Sequence, residues 1–161
     1  MTGTVLVVAE RPFDHPEVQE LVAQVQAEYV VRYGGPDETP LAADLFAPPS
    51  GAFLVGLLDG VPVAMGGWRM RSDIHPWGCL RPAEVKRMYV APAARRRGFA
   101  SVILAGLEDS ARDAGADVMV LETGLRQPEA IRLYLERDYR PVEAFGFYAD
   151  SPLSRYFGRR L

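Results

Sequence analysis

The chain has 161 residues, 48% hydrophobic and 24% charged, the composition of one globular domain able to bury a core without disulfide or metal staples. Its 21 acidic residues outnumber 18 basic ones, nearly all arginine, and a net charge of −3 argues against general nucleic-acid binding. Cys79 is alone, His15 and His75 lack metal-ligand spacing, and neither a leader nor an apolar run of the ~20 residues that span a bilayer is evident, so a metal-free cytoplasmic protein is expected.

In chain order, Thr4 to Val8 is a short β-branched run that reads as a first strand. Asp14 before Pro16 reads as an N-cap followed by a proline suited to a first helical turn. Val18, Leu21, Val22, Val25 and Tyr29 then recur at helical spacing until Gly34-Gly35. A shorter helix is expected from Leu41 to Phe46, stopped by Pro48-Pro49. Ala52 to Leu58 and Val61 to Arg71 flank Asp59-Gly60, a strong two-residue hairpin signal. An irregular loop from Ser72 to Pro82 leads into a strand over Ala83 to Val90. Phe99, Ile103, Leu107 and Ala111 repeat every four residues on a helix from Gly98 to Ala114, with Gly115 as its stop. Val118 to Leu121 reads as a buried strand and Pro128 to about Arg137 as a helix with Ala130, Ile131 and Tyr134 on one face. Arg140 to Val142 and Arg155 to Leu161 read as closing strands.

The stretch from Glu84 to Ala100 carries the most information. A strand runs into the basic turn Arg95-Arg96-Arg97-Gly98, and Phe99 and Ala100 open a helix. Bare N–H groups at a helix N-terminus attract anions, Gly98 permits close backbone approach, and the arginines add positive charge, so the turn suits a diphosphate. A P-loop is excluded because no Gly-Lys occurs, and a dinucleotide fingerprint would need three spaced glycines. The pattern Arg95-x-x-Gly98-x-Ala100 after Tyr89-Val90-x-Pro92 resembles the acetyl-CoA-binding motif of the GNAT superfamily of N-acetyltransferases. The order of elements is that of the GNAT fold, so the resemblance covers nearly the whole chain and is strongest from Glu84 to Tyr139. It implies a mixed α/β fold in which a splayed sheet of six to seven strands is flanked by about four helices, as a single domain over residues 1–161.

The resemblance implies transfer of the acetyl group of acetyl-CoA to a primary amine of a small molecule or amino acid, by direct attack. Backbone groups of Arg96, Arg97, Gly98, Phe99, Ala100 and Ser101 would hold the pyrophosphate, with the side chains of Arg95, Arg96 and Arg97 around it. Met88, Tyr89 and Val90 would pair with the pantetheine arm in the gap between the strands at 83–90 and 118–121, an amide of Met88 or Val90 facing the thioester carbonyl. Tyr134 matches the general acid of many members, and a phenol of pKa ~10 suits a thiolate of similar basicity. Asp138-Tyr139 stands where the family commonly has Gly-Phe, and Gln127 near where an asparagine often appears. Glu84 lies at the offset of the glutamate base of the histone-acetylating branch. Even spacing places it on the sheet face of Lys86, Met88 and Val90. Pairing of Glu84 with Arg81 or Arg87 is the competing reading, with Glu122 as rival base and ordered water as a third. For the acceptor, the candidates are Tyr29, Arg32 and Tyr33 at the end of the first helix and Trp68, Arg69 and Arg71 on the third strand. Such a set suits a small amine that also carries a carboxylate. An acyl-CoA-binding regulatory module, a longer acyl donor and a protein amine are the alternatives. The resemblance also raises a homodimer, with Phe145 to Tyr148 and the terminal strand as its place.

Overall fold

The computed structural model describes residues 5–161. Its elements run β1 (Val7–Glu10), α1 (Pro16–Tyr33), β2 (Gly51–Leu58), β3 (Val61–Met70), β4 (Pro82–Val90), α2 (Phe99–Asp113), β5 (Val118–Gly124), α3 (Pro128–Glu136), β6 (Arg140–Pro141) and β7 (Ser154–Arg160). The strands form one seven-stranded sheet ordered β1-β2-β3-β4-β5-β7-β6. Every pairing is antiparallel except β4 with β5.

Alternation along the strands supplies two cores. On one face, Val18, Leu21 and Val25 of α1 bury against Phe53, Val55, Met65 and Tyr89. On the other, Ile103, Leu104, Leu107 and Ala111 of α2, with Tyr134 of α3, bury against Ala52, Leu54, Ala64, Ala83 and Leu121. No described helix is long and apolar enough to cross a membrane.

The expected element order is present, with local corrections. The first strand begins later than expected, at Val7, and Thr4 lies outside the described residues. His15 rather than Asp14 caps α1, its Nδ1 accepting from Glu17 N at 3.1 Å, because Pro16 occupies the first helical position. The expected helix from Leu41 to Phe46 is one 3₁₀ turn, Ala43–Phe46, leaving three α-helices among the described residues where about four were expected. The segment between Pro40 and Pro48 is too short to nucleate a stable α-helix. Asp59 and Gly60 both take positive φ, 51° and 79°, as the hairpin turn requires.

Two irregularities interrupt the sheet. β4 and β5 pair only over Pro82–Glu84 and Val118–Val120, yet both run on, to Val90 and Gly124. The sheet is therefore splayed at its centre. In addition, the β3–β4 register passes from Gly67↔Lys86 to Met65↔Tyr89, so β4 carries one extra residue, and Arg87 sits in the bulge at φ 59°. The bulge reverses the alternation. Ala83 and Val85 face the α2 core before it and Met88 and Val90 face that core after it, while Tyr89 faces α1. Glu84 thus lies on the opposite face from Met88 and Val90, and the even-spacing expectation fails by one residue.

Candidate active site

The splay opens a cavity of about 980 Å³, walled by β4 from Val85 to Val90, β5 from Leu121 to Gly124, the end of α1, the start of α2 and one side of α3. Such a volume suits a sizeable small-molecule ligand. At one end lies the N-terminus of α2. Gly98 has φ 78°, and a Cβ built on it would meet nothing within 4 Å, so the backbone conformation and not crowding demands glycine there. The first helical bond runs from Val102 N to Gly98 O at 3.2 Å, and no side chain caps the helix. The amides of Phe99, Ala100 and Ser101 are therefore without helical acceptors at the cavity wall.

The three arginines of the turn are not equivalent. Arg96 lines the cavity, whereas Arg97 is exposed and does not. Arg95 turns toward α1: Nε donates to Val90 O at 2.8 Å, and Nη2 to both carboxylate oxygens of Glu28 at 3.0 and 2.9 Å. Its guanidinium also stacks 5.7 Å from the Tyr89 ring centroid. Arg95 thus ties the turn to the helix while lining the cavity beside Arg96.

The other end is polar and deep. The Tyr29 ring is partly exposed, but its hydroxyl is desolvated among Arg87, Asp37, Tyr134 and Glu122, and burial drives its pKa well above the ordinary phenol value. Tyr134 is likewise raised, by burial first and the Glu122 charge second, so its hydroxyl stays protonated throughout the physiological range. Burial also raises the Glu122 carboxyl, against the opposing pull of Ser154 Oγ, which donates to Oε1 at 2.7 Å, and of Lys86. Asp37 goes the other way. Burial alone would raise it, but Lys86, Arg87 and two bonds from Thr39 hold it below the ordinary range.

Some expected residues stand elsewhere. Trp68 is buried in the α2 core and donates Nε1–H to Ser110 Oγ at 2.9 Å, so it does not face the acceptor cavity. Arg69 and Arg71 lie where β4 and β5 are still paired, below the splay, and both grip Glu84: Arg69 Nε at 3.0 Å and Arg71 Nη1 at 2.7 Å from Oε1. Glu84 therefore answers to these two arginines, not to Arg81 or Arg87, and does not line the cavity. Arg81 instead caps α2 through Gly115 O at 2.9 Å, and Arg87 pairs with Asp37. Tyr29, Arg32, Tyr33, Met88, Tyr89, Val90 and Tyr134 do line the cavity. Arg32 is held by Glu28 at 3.2 Å and Glu129 at 2.9 Å. Tyr33 packs so closely on Gly124 that a Cβ there would fall 1.7 Å from its hydroxyl. Sequence reasoning missed Lys86, Arg87 and Asp37. The available signal was two adjacent cations on a strand with a buried register, which alternation alone cannot accommodate.

Residues 18–139 match the acetyltransferase (GNAT) family. The chain is 34% identical over 149 residues to the IAA acetyltransferase of Azospirillum brasilense, covering 89% of this chain and 93% of that one. It is 29% identical over 92 residues to the aminoalkylphosphonate N-acetyltransferase of Salmonella typhimurium, across 57% and 58% of the two chains. Among solved structures, it is similar to a candidate acyl-CoA N-acyltransferase of Klebsiella pneumoniae, with a TM-score of 0.79 at 25% identity over 99% of each chain. With its splayed β4–β5 gap, its uncapped α2 and this agreement over most of its length, the chain belongs to the GNAT family of acetyltransferases.

Proposed function

We propose that this protein is an N-acetyltransferase that uses acetyl-CoA to acetylate a primary amine of a small molecule or amino acid by direct attack. One observation carries the reading: the unpaired inner edge of β4 leads to the uncapped N-terminus of α2 along a single cavity. An open strand edge takes an extended amide-containing arm as an added strand, and a helix N-terminus takes a diphosphate. The residues present fit acetyl-CoA on both counts, and when bound it supplies the activated acetyl group. The amides of Phe99, Ala100 and Ser101, with Arg96, would hold its pyrophosphate, and Met88, Tyr89 and Val90 its arm.

The roles at the deep end divide by environment. Glu122 lines the cavity with an elevated pKa and would take the proton of the amine. Glu84, fixed between two arginines outside the cavity, is ill placed for that task. Tyr134 holds its proton and would donate to sulfur as the C–S bond gives way to the new C–N bond. The aminoalkylphosphonate relative acts on a small amine, in keeping with an acceptor of that size here.

Thermal unfolding with acetyl-CoA, CoA, longer acyl-CoAs, ATP and NAD tests the reading. At about 100 times its Kd, a ligand adds roughly 2.7 kcal/mol, or roughly 5–10 °C in Tm for a chain of this size. A rise with acetyl-CoA and CoA alone, followed by amine-dependent thiol release, is expected. No shift with any CoA species would remove the foundation of the proposal.

A further inference from the structure

We infer that the amine accepted by this enzyme also carries an anionic group, a carboxylate or phosphonate, and that Lys86 and Arg87 hold that group in the cavity. The inference rests on the acetyl-transfer reading and deepens it.

Consecutive residues on a regular strand face opposite sides of the sheet, so one of this pair would be driven into the apolar core beneath α2. The bulge prevents that. With Arg87 at φ 59°, both side chains come to the same cavity wall, each with 7% of its surface exposed. A left-handed conformation is costly for a side chain such as arginine, and such strain concentrates where a site requires it.

Neither cation is fully matched by the protein. Arg87 pairs with Asp37 through Nη1, but its Nε is buried with no acceptor among the described residues. The Lys86 ammonium has Glu84 Oε2 at 4.0 Å, beyond hydrogen-bond distance, and Arg69 and Arg71 already occupy Oε1 of that carboxylate. Glu122, the other carboxyl at this end, accepts from Ser154 Oγ at 2.7 Å and forms no ion pair with either cation. Of the two cations on this wall, only Arg87 thus has a close carboxylate partner, Asp37. Unspent, nine-tenths-buried donors of this kind call for an anion with several acceptor oxygens. Glu122 at the same end would then meet the amine of the same small molecule.

The test compares matched acceptors in an acetyl-CoA-dependent thiol-release assay: β-alanine against β-alaninamide, and 3-aminopropylphosphonate against propylamine. In at least one pair the acid is expected to exceed its neutral partner in kcat/KM by about tenfold or more. In Lys86→Gln that acid-to-neutral ratio should fall by roughly tenfold to a hundredfold, carried by KM. Arg87→Lys, which keeps the charge but loses the fork, should reduce it less. Retention of the acetyl-CoA thermal shift certifies that each variant is folded. Neutral amines matching or beating their acids, or a ratio unmoved in both variants, overturns the inference while leaving acetyl transfer intact. Absence of any acetyl-CoA shift or turnover overturns acetyl transfer, and the inference with it.

Discussion

Glu122 and Glu84 sit near each other on adjacent strands, yet only Glu122 faces the cavity. Glu84 lies between Arg69 and Arg71, which hold it in two ion pairs and restrict it sterically. Glu122 is desolvated at the cavity wall, which favours its neutral form against the opposing bond from Ser154 Oγ. A carboxyl with a raised folded-state pKa binds its proton more tightly in the native state. Its contribution to stability is therefore fully present below the unfolded value and is lost as pH rises through the folded one. Glu122→Gln should accordingly change both rate and stability. The acidic limb of kcat against pH, with a midpoint above the ~4.3 of a free glutamate, should disappear, and kcat should fall roughly 10²- to 10⁴-fold. Tm at pH 7 should hold steady or rise, because a neutral side chain that still accepts from Ser154 replaces a buried charge. A purely structural glutamate would lose stability instead. Full activity in the variant would hand the proton to water.

At the scale of elements, the site is made by two breaks in regularity, a strand pair that parts and a strand with one residue too many. Gly98 belongs to the same class. At φ 78° an alanine would cost about 1–2 kcal/mol, or roughly 2–8 °C in Tm. Its methyl would also project into the open space beside the α2 amides. Gly98→Ala is thus expected to lose part of the acetyl-CoA-induced Tm rise as well as baseline stability, and a titration of Tm against acetyl-CoA separates the two. An unchanged ligand shift would remove the turn from the binding site. Gly98, like the Asp59-Gly60 hairpin and the helix ending at Gly34, was legible in the sequence because its signal is local. The bulge was not. It arises from the register between β3 and β4, contacts distant in sequence, so parity counted from Glu84 to Val90 gave the wrong face. Trp68, Arg69 and Arg71, offered for the acceptor on the family resemblance, stand off the cavity for a related reason: which end of β3 meets the splay is a tertiary fact. Asp138, at φ 68° where the family pattern has glycine, shows a local rule overridden. The buried Tyr139 beside it is anchored by its hydroxyl on Glu108 Oε2 at 2.9 Å.

For the whole molecule, the question is what keeps two half-sheets together when they share so short a ladder. The apolar layer under α2 spans the divide, with Ala83 and Val85 on one side and Met119 and Leu121 on the other. Glu108 adds a polar fastening on the same helix. It is 2% exposed, accepts from Arg137 Nη2 at 2.6 Å and Tyr139 Oη at 2.9 Å, and pairs with Arg159 Nη1 at 2.9 Å. Those partners come from the end of α3, the approach to β6, and β7, all in the β5 half of the sheet. Glu108→Ala would strand two guanidinium groups and a buried phenol, and breaking a buried ion pair from one side costs about 3–5 kcal/mol. Tm should fall by roughly 6–20 °C. Because the halves flank the cavity, the loss should also reach the ligand: acetyl-CoA should bind more weakly, although Glu108 is not among the cavity-lining residues. Glu108→Gln, which keeps acceptor geometry but not charge, should fall between. Calorimetric titration of acetyl-CoA into both variants below their melting ranges separates the two effects. Weakened binding that tracks the drop in Tm ties the fastening to the gap, whereas unaltered affinity in a destabilised Glu108→Ala would show that the apolar layer alone sets the width of the splay.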